Sequence, residues 1–131
     1  MLTSWNLTPG IINDRTIKAF KHGACGGLAI AIHDLTGWPL VAVTVNAGQL
    51  LHYMARTPDG QLLDIEGPHT APDVEFEYEI EAADGVVTIT DTGRDAVWAW
   101  WCDEAGRPVP WETVTSIARA LLDRHAPAAA A

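Results

Sequence analysis

The sequence predicts a single α+β domain, in which N-terminal helices, including one that carries Cys25, and a C-terminal helix pack on an antiparallel sheet. Apolar residues recur at helical spacing near both ends of the chain, and the strand-like segments are grouped in the middle rather than alternating with helices. A chain of 131 residues fits one domain. We therefore expect one unit over residues 1–131, with residues 126–131 as a disordered tail.

Two helices are predicted in the first third of the chain. Residues 11–20 place apolar side chains at helical spacing, with Asn13 or Asp14 as the N-cap. Residues 24–35 repeat this spacing, and Gly37 follows as a typical C-terminal signal. The sequence therefore predicts a helix that begins close to Cys25.

Three strands are predicted next. Residues 40–45 are rich in β-branched side chains, and residues 50–56 can pair with them as an antiparallel neighbour. Residues 57–60, Thr-Pro-Asp-Gly, have turn chemistry and lead into a third strand over residues 61–65. His52 then lies on the second strand and Asp64 near the end of the third.

A loop and a hairpin are predicted after the third strand. Residues 66–72 contain one glycine and two prolines and read as a loop. His69 in this loop could border the cleft, although a solvated, inert loop residue is the favoured interpretation. Residues 74–80 alternate apolar and acidic side chains, which predicts a strand with one wet face. A turn at residues 83–85 would join this strand to another over residues 86–90.

The last third of the chain is rich in tryptophan. Residues 95–101, which contain Trp98, Trp100 and Trp101, fit either a strand or a loop, whereas residues 111–124 have helical spacing. Core packing is the favoured role for these rings. A substrate groove or a partner-binding face is the alternative, and Trp98 is the candidate substrate-binding residue.

Charge and composition exclude several function classes. The net charge of −9 disfavours nucleic acid and anionic membrane surfaces as partners. It is compatible with a basic protein or peptide, although a solvated acidic face is the simpler interpretation. No apolar segment is long enough to span a membrane, and the N-terminal sequence lacks a secretory signal, so the cytoplasm is the default location and a non-classical route of secretion stays open.

The strongest chemical signal is a cysteine at the predicted start of a helix. Cys25 lies in the sequence His-Gly-Ala-Cys-Gly-Gly, directly before an apolar run. The free N–H groups and the dipole of a helix N-terminus favour a thiolate. Gly26 and Gly27 would let a substrate carbonyl approach backbone N–H groups that could form an oxyanion hole. A buried structural thiol is the alternative.

His52 and Asp64 complete a possible triad. A two-residue turn at positions 58 and 59 would set Asp64 opposite Tyr53 or, after a slip of one residue, opposite His52. Cysteine would attack, histidine would take and return the proton, and aspartate would orient the imidazole. A zinc site made by Cys25, His52 and Asp64 is disfavoured because the sequence has no close ligand pair.

Three features stand together in this chain: the segment around Cys25, a histidine on a predicted strand, and the run Pro-Asp-Gly-Gln-Leu-Leu-Asp that ends at Asp64. In this order they resemble the papain-like cysteine hydrolase superfamily, specifically its transglutaminase-like branch. The resemblance covers about residues 20–67. It implies a Cys-bearing helix packed on an antiparallel sheet, with Cys25 as nucleophile, His52 as base and Asp64 as orienter. Asn13 or His22 would be the extra oxyanion donor.

The resulting expectation is a cysteine hydrolase or acyl transferase that acts on an amide or peptide bond through a thioester and needs no cofactor. Thiol protease, amidase and transferase activities all remain open. The alternative is a noncatalytic protein-binding module of the same fold, which would use its acidic strand face or its tryptophan-rich segment. The oligomeric state is not predicted.

Overall fold

The computed structural model describes residues 7–21, 23–46, 48–81 and 85–125. These residues form five helices and five strands: α1 (Asp14–Lys21), α2 (Cys25–Thr36), β1 (Leu40–Val45), β2 (Gln49–Arg56), β3 (Leu62–Asp64), β4 (Gly67–His69), α3 (Ala71–Glu81), β5 (Val87–Thr92), α4 (Arg94–Asp103) and α5 (Trp111–His125). His22, most of the predicted turn at residues 83–85 and the predicted tail at residues 126–131 lie outside the described residues.

The strands form one antiparallel sheet in the order β4-β3-β2-β1-β5. The predicted α+β class is confirmed, as are α1, α2, α5 and the first three strands, with shifts of at most three residues at their ends. Gly37 adopts the left-handed conformation after α2 and donates its N–H to the His33 carbonyl at 2.7 Å. Within the described ranges, every helix is too short or too polar to cross a membrane.

The sheet separates two apolar layers. Tyr53 and Ala55 of β2 face the larger core, which α2, α4 and α5 complete. Met54 faces the opposite side and packs with Val74 and Tyr78 of α3. Because side chains alternate along β2, His52 lies on the same face as Met54, the face that α3 covers.

The predicted strand over residues 74–80 is wrong, because this segment is part of helix α3. Val74 and Tyr78 are four residues apart and lie buried on one side of the helix, whereas Phe76, which a strand would have buried with them, is 66% exposed. Thr70 caps the helix by accepting a hydrogen bond from the Asp73 N–H at 3.3 Å. The predicted hairpin is therefore also wrong, and β5 pairs with β1 instead.

Two other segments differ from their predicted state. The predicted loop at residues 66–72 contains β4, which forms a tight hairpin with β3 and has Gly67 at φ +110°. The sequence predicts a strand or a loop over residues 95–101, but these residues are part of helix α4. Val97 and Trp101 lie buried on this helix, one turn apart. Arg94 anchors α4 to the end of α2 through two hydrogen bonds of 2.8 Å to Asp34.

The turn between β2 and β3 is one residue longer than the two-residue turn that the sequence suggested. Thr57 donates its N–H to the Gln61 carbonyl at 2.8 Å, so three residues make the turn, and Gly60 among them has φ +86°. The strands consequently pair Ala55 with Leu63. The register is shifted by one residue in the direction opposite to the predicted slip.

Candidate active site

His52 and Asp64 form a buried hydrogen-bonded pair. The register of β2 and β3, continued by one residue, sets Asp64 across from Met54 rather than Tyr53 or His52. Because side chains alternate along strands, Asp64 shares the face of the sheet on which His52 lies. His52 Nε2 donates to Asp64 Oδ2 at 3.0 Å, and His52 is fully buried. The contact is diagonal between neighbouring strands.

Cys25 is the first residue of α2, the helix that packs against the strand of His52. Ala24, at the N-cap, has no polar side chain to cap the helix, so capping does not consume the N–H groups of the first turn. β3 pairs with β2 only at Ala55 and Arg56. Helix α2 packs against β2, and the charge of Cys25 acts on the His52 imidazole.

The environment of His52 favours its charged form. Burial by itself would lower the pKa of the imidazole, but the hydrogen bond with Asp64 and the negative charges of Cys25 and Asp64 outweigh burial and raise the pKa to about 9. Since Nε2 is bonded to Asp64, the buried Nδ1 is the ring nitrogen without a hydrogen-bond partner among the described residues. Nδ1 is thus the atom left to exchange a proton with Cys25.

Asp64 is the centre of a wider polar cluster. Its Oδ1 accepts hydrogen bonds from His69 Nε2 and from the Glu66 N–H, each at 2.9 Å, and the Lys21 ammonium lies 3.7 Å from Oδ2. Burial opposes ionisation of Asp64, yet the hydrogen bonds from His52 and His69 dominate and hold the pKa of this carboxyl well below its usual range. Asp64 is therefore a carboxylate that two imidazoles share.

Lys21 joins this cluster to α3. Its ammonium lies 2.9 Å from Glu66 Oε1 and 3.0 Å from Glu77 Oε2, and 5.6 Å from the centre of the Tyr78 ring. Burial would lower the pKa of Lys21, but the charge of Asp64 and the hydrogen bonds to Glu66 and Glu77 raise it above its ordinary value. One cation thus connects the end of α1, the β3–β4 hairpin and α3.

Helix α3 covers the side of the site on which the His52 ring lies. The Tyr78 ring stacks on the His52 ring with centroids 5.7 Å apart and an interplanar angle of 27°. Tyr78 is itself buried, and burial is the main reason that the pKa of its phenol is raised. The segment for which the sequence predicts a strand with one wet face is thus a helix that covers the His52 ring.

The glycines after Cys25 are required by packing. A Cβ atom on Gly26 would lie 2.7 Å from Trp100 Cε3, and one on Gly27 would lie 2.8 Å from the ring of Trp101. Tyr53 meets Trp100 edge to face at 5.2 Å, and burial together with the charge of Cys25 raises the pKa of its phenol. Tyr53 and Trp100 thus form an aromatic wall next to Cys25 and Gly26.

Asn13 and Trp98, two other predicted site residues, have partners elsewhere. Asn13 Oδ1 accepts the Thr16 N–H at 3.1 Å, so this side chain caps α1, as the sequence suggested. Trp98 packs edge to face on Trp111 and has the guanidinium of Arg94 over its ring. Neither Asn13 nor Trp98 is brought to the His52–Asp64 pair by a contact that we observe.

The cluster also contains three groups that could together bind a metal ion. Single ligand atoms of Asp64, Glu66 and His69 all lie within 4.8 Å of one another. However, His69 already donates to Asp64, and the Lys21 ammonium supplies the positive charge next to Glu66. The negative charge of Asp64 and Glu66 is therefore balanced by protein cations. These three groups also differ from the zinc ligands considered from the sequence, which were Cys25, His52 and Asp64.

Sequence reasoning missed the roles of His69, Lys21 and Tyr78. A signal for His69 was present, because a tight turn at Ile65 and Glu66 places His69 opposite Leu62, on the same side of the hairpin as Asp64. Lys21 and Tyr78 lie at the site because α1 and α3 pack there. No local sequence pattern predicts this packing. Comparisons with protein-family models, with curated proteins and with solved structures found no match.

Proposed function

We propose that this protein is a cysteine hydrolase or acyl transferase in which Cys25 is the nucleophile, His52 the base and Asp64 the residue that orients His52. The proposal is based mainly on the hydrogen bonding of the His52 ring. Its Nε2 atom is fixed on Asp64, and its buried Nδ1 atom has no hydrogen-bond partner in the described part of the chain, while the charge of Cys25 acts on the ring. A nucleophile, a base and an orienter in contact are the requirements of covalent acyl transfer.

The reaction would proceed in two steps. The Cys25 thiol gives its proton to His52 Nδ1, and the thiolate attacks the acyl carbon of the substrate. Collapse of the tetrahedral species forms a thioester and expels the amine or alcohol, which takes the proton from His52. Water or a second amine then gives its proton to His52 and attacks the thioester, and Cys25 leaves as the thiolate.

The start of α2 would stabilise the oxyanion. The N–H groups of Cys25 and Gly26 are in the first turn of the helix, where no intrahelical carbonyl accepts them, and the helix dipole adds positive potential. Backbone donors of this kind stabilise the charge that develops in the transition state. Trp100 is partly exposed and would contact the acyl part of the substrate next to these donors.

The same residues serve a peptidase, an amidase and an acyl transferase, which differ in the group that resolves the thioester. This chemistry fits the papain-like superfamily and its transglutaminase-like branch, with a protein or peptide substrate in the cytoplasm. The excess of acidic residues favours a basic substrate.

The proposal is tested with p-nitrophenyl acetate as a generic acyl donor. Mass spectrometry of the quenched protein should find one acetyl group on Cys25, and His52→Ala should abolish this acetylation. Cys102→Ala removes the other cysteine, whose sulfur lies 3.0 Å from the Arg107 guanidinium, and should leave acetylation of Cys25 unchanged. Acetylation of Cys102 alone, or acetylation of Cys25 that is independent of His52, would contradict the proposal.

A noncatalytic binding module is a second candidate because of the outer face of α3. Phe76 is 66% exposed on this face, and Asp73 and Glu79 lie three residues before and after it. An aromatic ring between carboxylates suits a basic peptide. Binding of an arginine-rich peptide that Phe76→Ala abolishes, in a protein that fails to acetylate Cys25, would favour this function.

A further inference from the structure

We propose that His69 is a positioning residue of the active site, which holds Asp64 so that its second oxygen points at His52. This inference rests on the proposed function. Asp64 is the last residue of a strand of three residues, and the direction of its side chain is not set by the strand alone. His69 Nε2 donates to Oδ1 at 2.9 Å, while His52 Nε2 donates to Oδ2 at 3.0 Å. The carboxylate is held at both ends.

The fold supplies His69 in a fixed position. Residues Ile65 and Glu66 form the tight turn between β3 and β4, and Asp64 pairs with Gly67 at its base. His69 is paired with Leu62, so its side chain is on the same face of the hairpin as Asp64. The imidazole of His125 from α5 lies against Gly67, where a Cβ atom would be 3.0 Å from the ring. The hairpin is thereby braced from outside the site.

The charges around His69 support this role. Asp64 is the main cause of the raised pKa of His69, partly opposed by burial and by the Lys21 charge and assisted by Glu66. The side chain of His69 is mostly covered, unlike that of a solvated loop residue. Removal of a hydrogen-bond partner that orients a functional side chain commonly changes activity by about 10- to 100-fold. His69 therefore acts on the reaction through Asp64 and His52, without touching the substrate.

The test compares His69→Leu, which removes the donor, with His69→Gln, whose amide nitrogen can replace Nε2. We expect His69→Leu to slow acetylation of Cys25 by p-nitrophenyl acetate about tenfold and His69→Gln to restore most of the rate. In parallel, the NMR signal of the His52 Nε2 proton should move or broaden in His69→Leu and keep its position in His69→Gln. His125→Gln, which alters the same hairpin without touching Asp64, is the matched control and should keep both properties.

The outcomes are distinguishable. An unchanged rate and an unchanged His52 signal in His69→Leu would overturn the positioning role, and so would an equal loss in both variants with an unchanged His52 signal. If His69→Leu fails to fold, His69→Asn replaces it, since its shorter amide keeps polarity but cannot reach Oδ1. If the wild-type protein is not acetylated at all, the proposed function fails, while the NMR comparison still decides whether His69 positions Asp64.

Discussion

Asp64 Oδ2 lies 3.0 Å from Nε2 of His52, and both side chains are buried. The carboxylate holds the Nε2 proton and balances the charge of the imidazolium, so that Nδ1 is the nitrogen that would exchange a proton with Cys25. Asp64→Asn should therefore lower acetylation of Cys25 by about 10²-fold, because the amide no longer balances the imidazolium charge. The measurement is the rate of p-nitrophenolate release, with circular dichroism as the control for folding. An unchanged rate in a folded variant would remove Asp64 from the mechanism.

The stability of the protein should depend on the protonation of His52. The pKa of this group is raised from about 6.5 in the unfolded chain to about 9 in the fold, so its contribution is complete below about pH 6.5 and is lost as the pH rises to about 9. We expect the free energy of unfolding to fall by about 3 kcal/mol across this interval. Urea denaturation at both ends of the interval measures it, and His52→Gln should remove most of this dependence, while His69, whose pKa is also raised, keeps a smaller part of it. Equal loss in His52→Gln would assign the effect to other groups.

Gly27 and Gly26 should respond differently to alanine. The Cβ of Gly27→Ala meets Trp101, which is buried and cannot move away, so we expect a destabilisation of about 2 kcal/mol. The Cβ of Gly26→Ala meets Trp100, which is partly exposed and can rotate, and the gain in helix propensity offsets part of the cost. Urea denaturation of the two variants tests this order. Gly26→Ala as the more destabilised variant would contradict it.

Lys21 should stabilise the fold by neutralising three carboxylates. Lys21→Met keeps most of the aliphatic packing but leaves Asp64, Glu66 and Glu77 without their shared cation. Since Glu66 and Glu77 are partly exposed and screened by solvent, we expect a loss of about 2 kcal/mol rather than the larger cost of a fully buried pair. Lys18→Met, on the same helix, is the control. Thermal unfolding of the two variants should differ, and similar transitions would show that the cluster adds little.

The sequence was a good guide to the elements that carry Cys25, His52 and Asp64 and a poor one to their surroundings. The helix start at Cys25 and the two hairpin strands of His52 and Asp64 are encoded locally, in turn residues and apolar spacing. The shift of register was not predictable from turn residues alone, because Thr-Pro-Asp-Gly allows turns of two or three residues. That shift decides which face Asp64 occupies.

Helix α3 shows why a local pattern can mislead. Val74, Phe76 and Tyr78 alternate with glutamates, and alternation is the usual sign of a half-buried strand. The competing signal was the Thr70 cap with Asp73 three residues later, together with the helix propensity of glutamate. Packing decided the outcome, since Val74 and Tyr78 bury their side chains against the sheet and Phe76 remains in solvent.

The proposed activation of Cys25 by His52 is tested by the rate at which iodoacetamide alkylates Cys25 in a Cys102→Ala protein, with and without His52→Ala. Near neutral pH, we expect the protein with His52 to react at least about tenfold faster, because the imidazole holds the thiol proton. The difference should vanish in alkaline solution, where the thiol ionises without help. Equal rates at every pH would contradict the proposed activation.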